Sequence, residues 1–336
     1  MVGRARAEVE SAKSNGSYLD AILSGPGPET FGRALVLAAK GFCMGAADII
    51  PGVSGGTIAF ITGIYESLIR AIKSVNLRFA GHLFKLDFKA ALAEVHFRFL
   101  LPLLTGLLLA VAGISRVMHH LLLNHPVEIW SLFFGLIAAS IWVVGRKVEN
   151  WNAATVAVLA AGAVVSYLIV GMIPVTTPEE HWFIFLCGMI AICAMILPGI
   201  SGAFLLLLLG KYEYVTAALK NPFEPGSAIV IVVFTVGCAV GIAGFSRVLS
   251  WLLTHRHGVT VAALTGFMIG GMRKVWPWKE VLETRMIRGK EYVLLEKNVL
   301  PDATMSELYV PLAIMAAGAL AVLLLELLSA RLGTDD

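Results

Sequence analysis

Long apolar stretches separated by short polar ones run through most of the chain, and two of them are interrupted in the same way. Phe31 to Ala47 is apolar apart from Arg33 and Lys40. Its ~17 residues sit at the lower limit for crossing a bilayer. A second short run, Thr57 to Ile72, follows it, and Ala47-Asp-Ile-Ile-Pro-Gly-Val-Ser-Gly-Gly-Thr57 stands between. Pro51 has no N–H to donate and the glycines weaken helix continuity, so the pattern predicts a turn inside the membrane. Phe31 to Ile72 then reads as a re-entrant hairpin.

Lys73 to Arg98 holds Lys73, Arg78, Lys85, Lys89 and Arg98 against Asp87 and Glu94 and reads as cytoplasmic by the positive-inside rule. Three spans are predicted next, at Phe99 to Leu123, Val127 to Val144 and Asn152 to Ile173. Arg146 and Lys147 place one turn inside; the cation-free stretch 174–180 suits the outside.

The order then repeats. Pro198, Gly199, Ser201 and Gly202 follow Pro51, Gly52, Ser54 and Gly55 by 147 positions each, as Gly210, Tyr212 and Glu213 follow Gly63, Tyr65 and Glu66. Ala203 replaces the second glycine. Short helices are predicted over Trp182 to Leu197 and Ala203 to Leu219, and spans near Ala228 to Leu253, Val259 to Met272 and Tyr309 to Leu328. Ser246 and Arg247 follow Ser115 and Arg116 by 131 positions, as Gly266 follows Gly135. One non-crossing hairpin and three spans per half is an odd number of crossings, which inverts the second half.

The fold expected is therefore an all-α polytopic membrane protein of two inverted repeats, each a re-entrant helical hairpin plus three transmembrane helices. Residues 1–30 form a cytoplasmic N-terminal arm, 31–173 the first repeat and 181–330 the second, which includes a polar loop at 273–307. That loop is expected outside, with a small hairpin over Met286 to Glu296 turning at Gly289-Lys290.

Composition agrees: 58% of the 336 residues are apolar, 15% are charged, and the mean hydropathy is positive. A net charge of +3 is too small to argue for nucleic acid. Cys43, Cys187, Cys193 and Cys238 lie in apolar runs without ligand spacing, so no disulfide framework, metal or cofactor is expected. No secretory signal precedes the first apolar run, which places the N-terminus on the cytoplasmic side.

A helix that begins after Pro-Gly-x-Ser-Gly points unpaired N–H groups and the positive end of its dipole at the turn. Ser54, Gly55, Gly56 and Thr57 in the first break, with Ser201 and Gly202 in the second, are candidate phosphate ligands. Arg116 and Arg247 complete that set, because a guanidinium within an apolar span costs about 2.5–3.5 kcal/mol and calls for an anion; arginine also holds phosphate through paired hydrogen bonds. The competing reading gives the glycines to close helix packing and the arginines to internal acids or carbonyls. Inversion sets the two arginines at different depths, so one clamp and two successive stations both stand. Asp48, Glu66 and Glu213 are candidates for proton coupling, or else partners for Lys40, Arg116 or Lys211. His119, His120, His255 and His257, near span ends, are expected to face headgroups or water.

On these residues, above all Gly45 to Glu66, the chain resembles the polyprenyl-phosphate transporter family, which includes the PopT undecaprenyl phosphate translocases of bacteria. The resemblance covers Phe31 to about Leu328. It implies a flippase in the cytoplasmic (inner) membrane that returns undecaprenyl phosphate from the outer to the inner leaflet, recycling the lipid carrier of cell-wall precursors. The expected partners are that polyprenyl phosphate, membrane lipid and, in a homo-oligomer, a second copy. Two alternatives use the same anion site. A polyprenyl diphosphate phosphatase lacks its usual histidine here, since none stands in Pro51 to Gly56 and Leu122 occupies the later position. A small-anion carrier needs no lateral opening. No enzymatic activity is expected.

Overall fold

A computed structural model describes residues 17–49, 53–173, 175, 177–287, 290–301 and 305–332. Pro51, Gly52, Gly289 and the first sixteen residues of the expected arm lie outside that set. Most of the described residues are helical, and among them five helices are long and apolar enough to cross a bilayer. The protein is a polytopic α-helical membrane protein.

The rest of the arm is folded: α1 (Tyr18–Leu23) starts on a Ser17–Asp20 capping box and packs against α6 (Phe88–Glu94). After α2 (Phe31–Asp48) the chain breaks and resumes as α3 (Gly55–Ile61), which packs back on α2. The apolar run Thr57 to Ile72, expected as one helix, is two. Gly63 takes the left-handed conformation at φ 73°, its N–H donates to Phe60 and that of Ile64 to Ala59, so α3 ends in a Schellman turn before α4 (Tyr65–Ser74). The expected cytoplasmic segment contains α5 (Leu77–Phe84) and α6. Three long helices follow: α7 (Phe97–Asn124), α8 (Pro126–Gly145) and α9 (Ala153–Val170).

Helix α10 (His181–Ile196) leads into the second break and α11 (Gly202–Leu208). The same Schellman turn, at Gly210 and Lys211, ends α11 and bends α12 (Tyr212–Lys220) by 110° from it. Then come α13 (Ser227–His255), α14 (His257–Gly271), the antiparallel strands β1 (Lys279–Ile287) and β2 (Lys290–Asn298), and α15 (Met305–Leu332). Ile287 pairs with Lys290, so the hairpin expected from sequence is present and longer than expected. At 15 residues α14 is shorter than a full span.

Small residues set the helix crossings, and they do so identically in both halves. A Cβ on Gly41 would stand 2.1 Å from the Leu103 carbonyl oxygen, and one on Gly106 1.8 Å from that of Ala38, which fixes α2 on α7. Gly188 over Phe234 and Gly237 over Phe185 fix α10 on α13 at the equivalent positions. The remaining long helices pair across the halves: Gly135 and Gly318 join α8 to α15, as Gly266 and Gly162 join α14 to α9. Helix association in lipid rests on such close backbone approach, since lipid tails are as apolar as the side chains.

Candidate functional site

The two breaks meet. An α-helix ends with carbonyls that have no partner of their own, and α10 ends inside the protein. The first break supplies the donors. Ser54 Oγ lies 3.2 Å from the Leu197 carbonyl oxygen and 3.4 Å from that of Met195, and the Tyr65 hydroxyl donates to Ile196 at 3.2 Å. In return the Gly199 N–H donates to Thr57 Oγ1 at 3.0 Å. Ser54, Thr57, Tyr65 and Ser201 are all buried. Gly56 admits no side chain, because its Cβ would stand 2.7 Å from the Ile196 carbonyl oxygen.

Within the first break the helix start is closed by the protein itself. Ser54 is the N-cap of α3 and accepts from Gly56 N–H at 3.1 Å; Asp48, at the end of α2, accepts from Gly55 N–H at 2.6 Å. A carboxylate thus occupies the place where an anion would bind. In the second break Ser201 accepts from Phe204 N–H at 3.4 Å, and Gly202 packs on the Ala191 carbonyl. Met195 stands where Asp48 would recur.

The other expected residues lie apart from this junction. Arg116 is exposed on α7 and, among the described residues, has no hydrogen bond or ion pair. Arg247 is half-buried on α13 and donates to the Ala243 carbonyl of its own helix. Glu66 is half-exposed on α4, 3.6 Å from Arg70 and 3.3 Å from His257 Nε2. His257 also lies 3.4 Å from Glu149, so it joins α14 to its neighbours rather than facing solvent alone. Glu213 is half-buried on α12. Lys40 donates to the Thr62 carbonyl at 2.7 Å and the buried Lys211 to that of Thr177 at 2.9 Å.

Two participants were not singled out from the sequence. Tyr65 carried a signal, since it recurs as Tyr212. The C-terminal end of α14 carried less: a Cβ on Gly199 would be 2.7 Å from Met268 Cα, and one on Gly271 would be 2.3 Å from the Gly199 carbonyl oxygen. This helix stops where it reaches the second break.

The loop after α14 is anchored beside the junction by a partly buried triad. Lys274 and Lys279 lie 2.6 and 3.1 Å from one Glu296 oxygen, with Lys274 over the Phe204 ring and Lys279 over that of Trp130. Burial lowers Lys279 to about 8, against the pull of Glu296. Burial alone would raise the Glu296 carboxyl, but the two lysines outweigh it and hold it below its ordinary value. The stability this carboxylate contributes is therefore present above the ordinary glutamate pKa and is lost as pH falls through its lowered one. Glu296→Ala leaves two cations facing each other in a partly buried site and is expected to cost about 1–2 kcal/mol of local stability. Faster proteolysis or hydrogen exchange across 279–298 checks this.

Breaks between short apolar helices that satisfy each other's unpaired backbone groups are a construction of membrane transporters, where irregular backbone is tolerated at a buried site. The chain belongs to the undecaprenyl phosphate translocase-like family, whose model matches residues 44–292. A polyprenyl-phosphate transporter of Vibrio cholerae serotype O1 is 41% identical over 263 residues, covering 78% of this chain and 84% of that protein. One from Staphylococcus aureus is 33% identical over 257 residues, covering 71% and 84%. No solved structure matches the chain. These names are those of transporters rather than enzymes.

Proposed function

We propose that this protein is a flippase for a polyprenyl phosphate, returning undecaprenyl phosphate from the outer to the inner leaflet of the bacterial cytoplasmic membrane. The N-terminus and the 73–98 segment lie inside, and the two halves, 31–173 and 181–330, are oppositely oriented. The phosphate head crosses at the junction of the breaks while the prenyl chain stays in lipid. The observation that carries this reading is the contact of Ser54 with Leu197 and of Thr57 with Gly199, which makes one junction of two breaks. Relatives named as polyprenyl-phosphate transporters supply the substrate class.

Asp48 gives the junction a means of coupling. As a carboxylate it holds the Gly55 N–H; as the neutral acid it is a weaker acceptor, and that amide is released to a phosphate, while the Gly56 N–H stays on Ser54. Proton uptake and headgroup binding then occur together. Glu66, already held by Arg70 and His257, is less suited to this. Arg116 and Arg247, with no acid bonded to either among the described residues, serve as successive stations for the head.

The test is headgroup translocation in reconstituted vesicles. Arg116→Ala and Arg247→Ala are each expected to slow it about tenfold, the value of one charge-assisted hydrogen bond. Unchanged rates in both variants overturn the assigned stations. Release of inorganic phosphate by the purified protein would replace the reading with a phosphatase.

A further inference from the structure

The breaks share Pro, Gly and Ser in the two halves, but the ends of the hairpins away from the breaks differ more. A cavity of about 620 Å³ lies between the start of α2, the start of α4 and the 26–29 segment. Its walls carry Arg33, Lys40 and Arg70 against the single acid Glu29, and its apolar side is made by Val36, Leu37 and Phe99. His96, also in the wall, is lowered by burial and then by Arg70, so it adds no charge at neutral pH. The roof is fixed: Arg98 donates from Nε to the Pro28 carbonyl at 2.8 Å, and Gly27 packs on the Arg98 backbone. Beside the mouth, Phe31, Leu35 and Val36 form an exposed apolar strip along α2.

The equivalent place in the second half lacks these cations. Residues 147 positions on from Arg33, Lys40 and Arg70 are Glu180, Cys187 and Ala217. There Val175 N–H donates to the Leu208 carbonyl at 2.9 Å, and Thr177 both donates to the Leu209 carbonyl and accepts from Lys211.

We propose that the cavity at Arg33, Lys40 and Arg70 binds a phosphate monoester carrying one long apolar chain, with the phosphate on the cations and the chain running out past Val36 over the strip on α2. Three cations stand against Glu29 in the wall and Glu66 beside Arg70, so the site keeps a positive surplus for the head of a monoester, whose charge is about −1.5 to −2. Two guanidiniums suit its three oxygens. A diester with two chains offers one negative charge and twice the tail. The identity of the lipid rests on the function proposed above, and the cavity is then the station of the head at the end of its path on this side of the membrane. The matching positions of the other half carry none of these three cations, which makes the two ends of the path chemically different.

The test uses the full chain in phosphatidylcholine nanodiscs with a photoactivatable farnesyl phosphate. Adducts are expected on Val36, Leu37 or Phe99, unaffected by excess farnesol or phosphatidylglycerol. They are expected to fall at least about tenfold in Arg33→Ala/Arg70→Ala, from the loss of charge-assisted bonds. Gly32→Trp, on an exposed turn at the cavity wall where a Cβ meets nothing within 4 Å, is expected to block them by filling the space. Adducts confined to the breaks, or undiminished in both variants, overturn the proposal and leave the function standing. Competition by phosphatidylglycerol overturns the monoester assignment. A protein that translocates no polyprenyl phosphate in vesicles, yet gives these adducts, fails the functional reading alone.

Discussion

Gly106→Val is expected to prevent the protein from reaching a stable fold. Any side chain at Gly106 begins 1.8 Å from the Ala38 carbonyl oxygen and 2.8 Å from the Phe42 nitrogen, and neither is the movable end of a side chain. Helices α2 and α7 would have to part by roughly 1 Å or more, and with them Gly41 would lift off Leu103. The cost should reach or exceed about 3 kcal/mol, the upper end for an overfilled core. Thermal unfolding of detergent-purified protein measures it. Gly113→Val on the same helix is the control, since a Cβ there meets nothing within 4 Å, and it should unfold like the wild type. Gly237→Val, against the Phe185 carbonyl, should repeat the loss. Equal midpoints for Gly106→Val and Gly113→Val would show that this crossing does not hold the two helices.

Asp48→Asn is expected to remove the response of transport to a pH gradient while leaving the protein folded. The amide oxygen still accepts from Gly55 N–H and adds no bulk, so the start of α3 is kept at a cost of about 1 kcal/mol. What disappears is the exchange of a proton for a hydrogen bond. In vesicles with an imposed gradient, the wild type should translocate faster than without it, and the variant at one rate in both. Asp48→Ala should lose stability as well, because the Gly55 N–H is then buried without its acceptor. An asparagine variant that still responds to the gradient would take the coupling role away from Asp48.

Much of this junction could be read in advance from Pro, Gly and Ser recurring at a constant interval. Those residues are where a helix must stop, and two stops of one kind in an apolar chain imply a common purpose. The additional turns at Gly63 and Gly210 were hidden, because the flanking residues keep a helical apolar period and only a left-handed backbone ends the helix. Hydropathy gave Arg116 and Arg247 a depth but no facing direction, so their distance from the junction could not be anticipated. Nor could the occupation of Gly55 by Asp48, seven positions away, which depends on how the chain folds back between them.

The exchange of partners between the halves has a consequence for biosynthesis. Helix α8 reaches its mate, α15, only when the last of the described helices has left the ribosome, whereas α9 can close on α14 earlier. Until then the groove at Leu132 and Gly135 is open to lipid or to a neighbouring nascent chain. Premature termination before α15 therefore yields a product that cannot be completed from within and whose exposed seam invites capture by quality-control proteases.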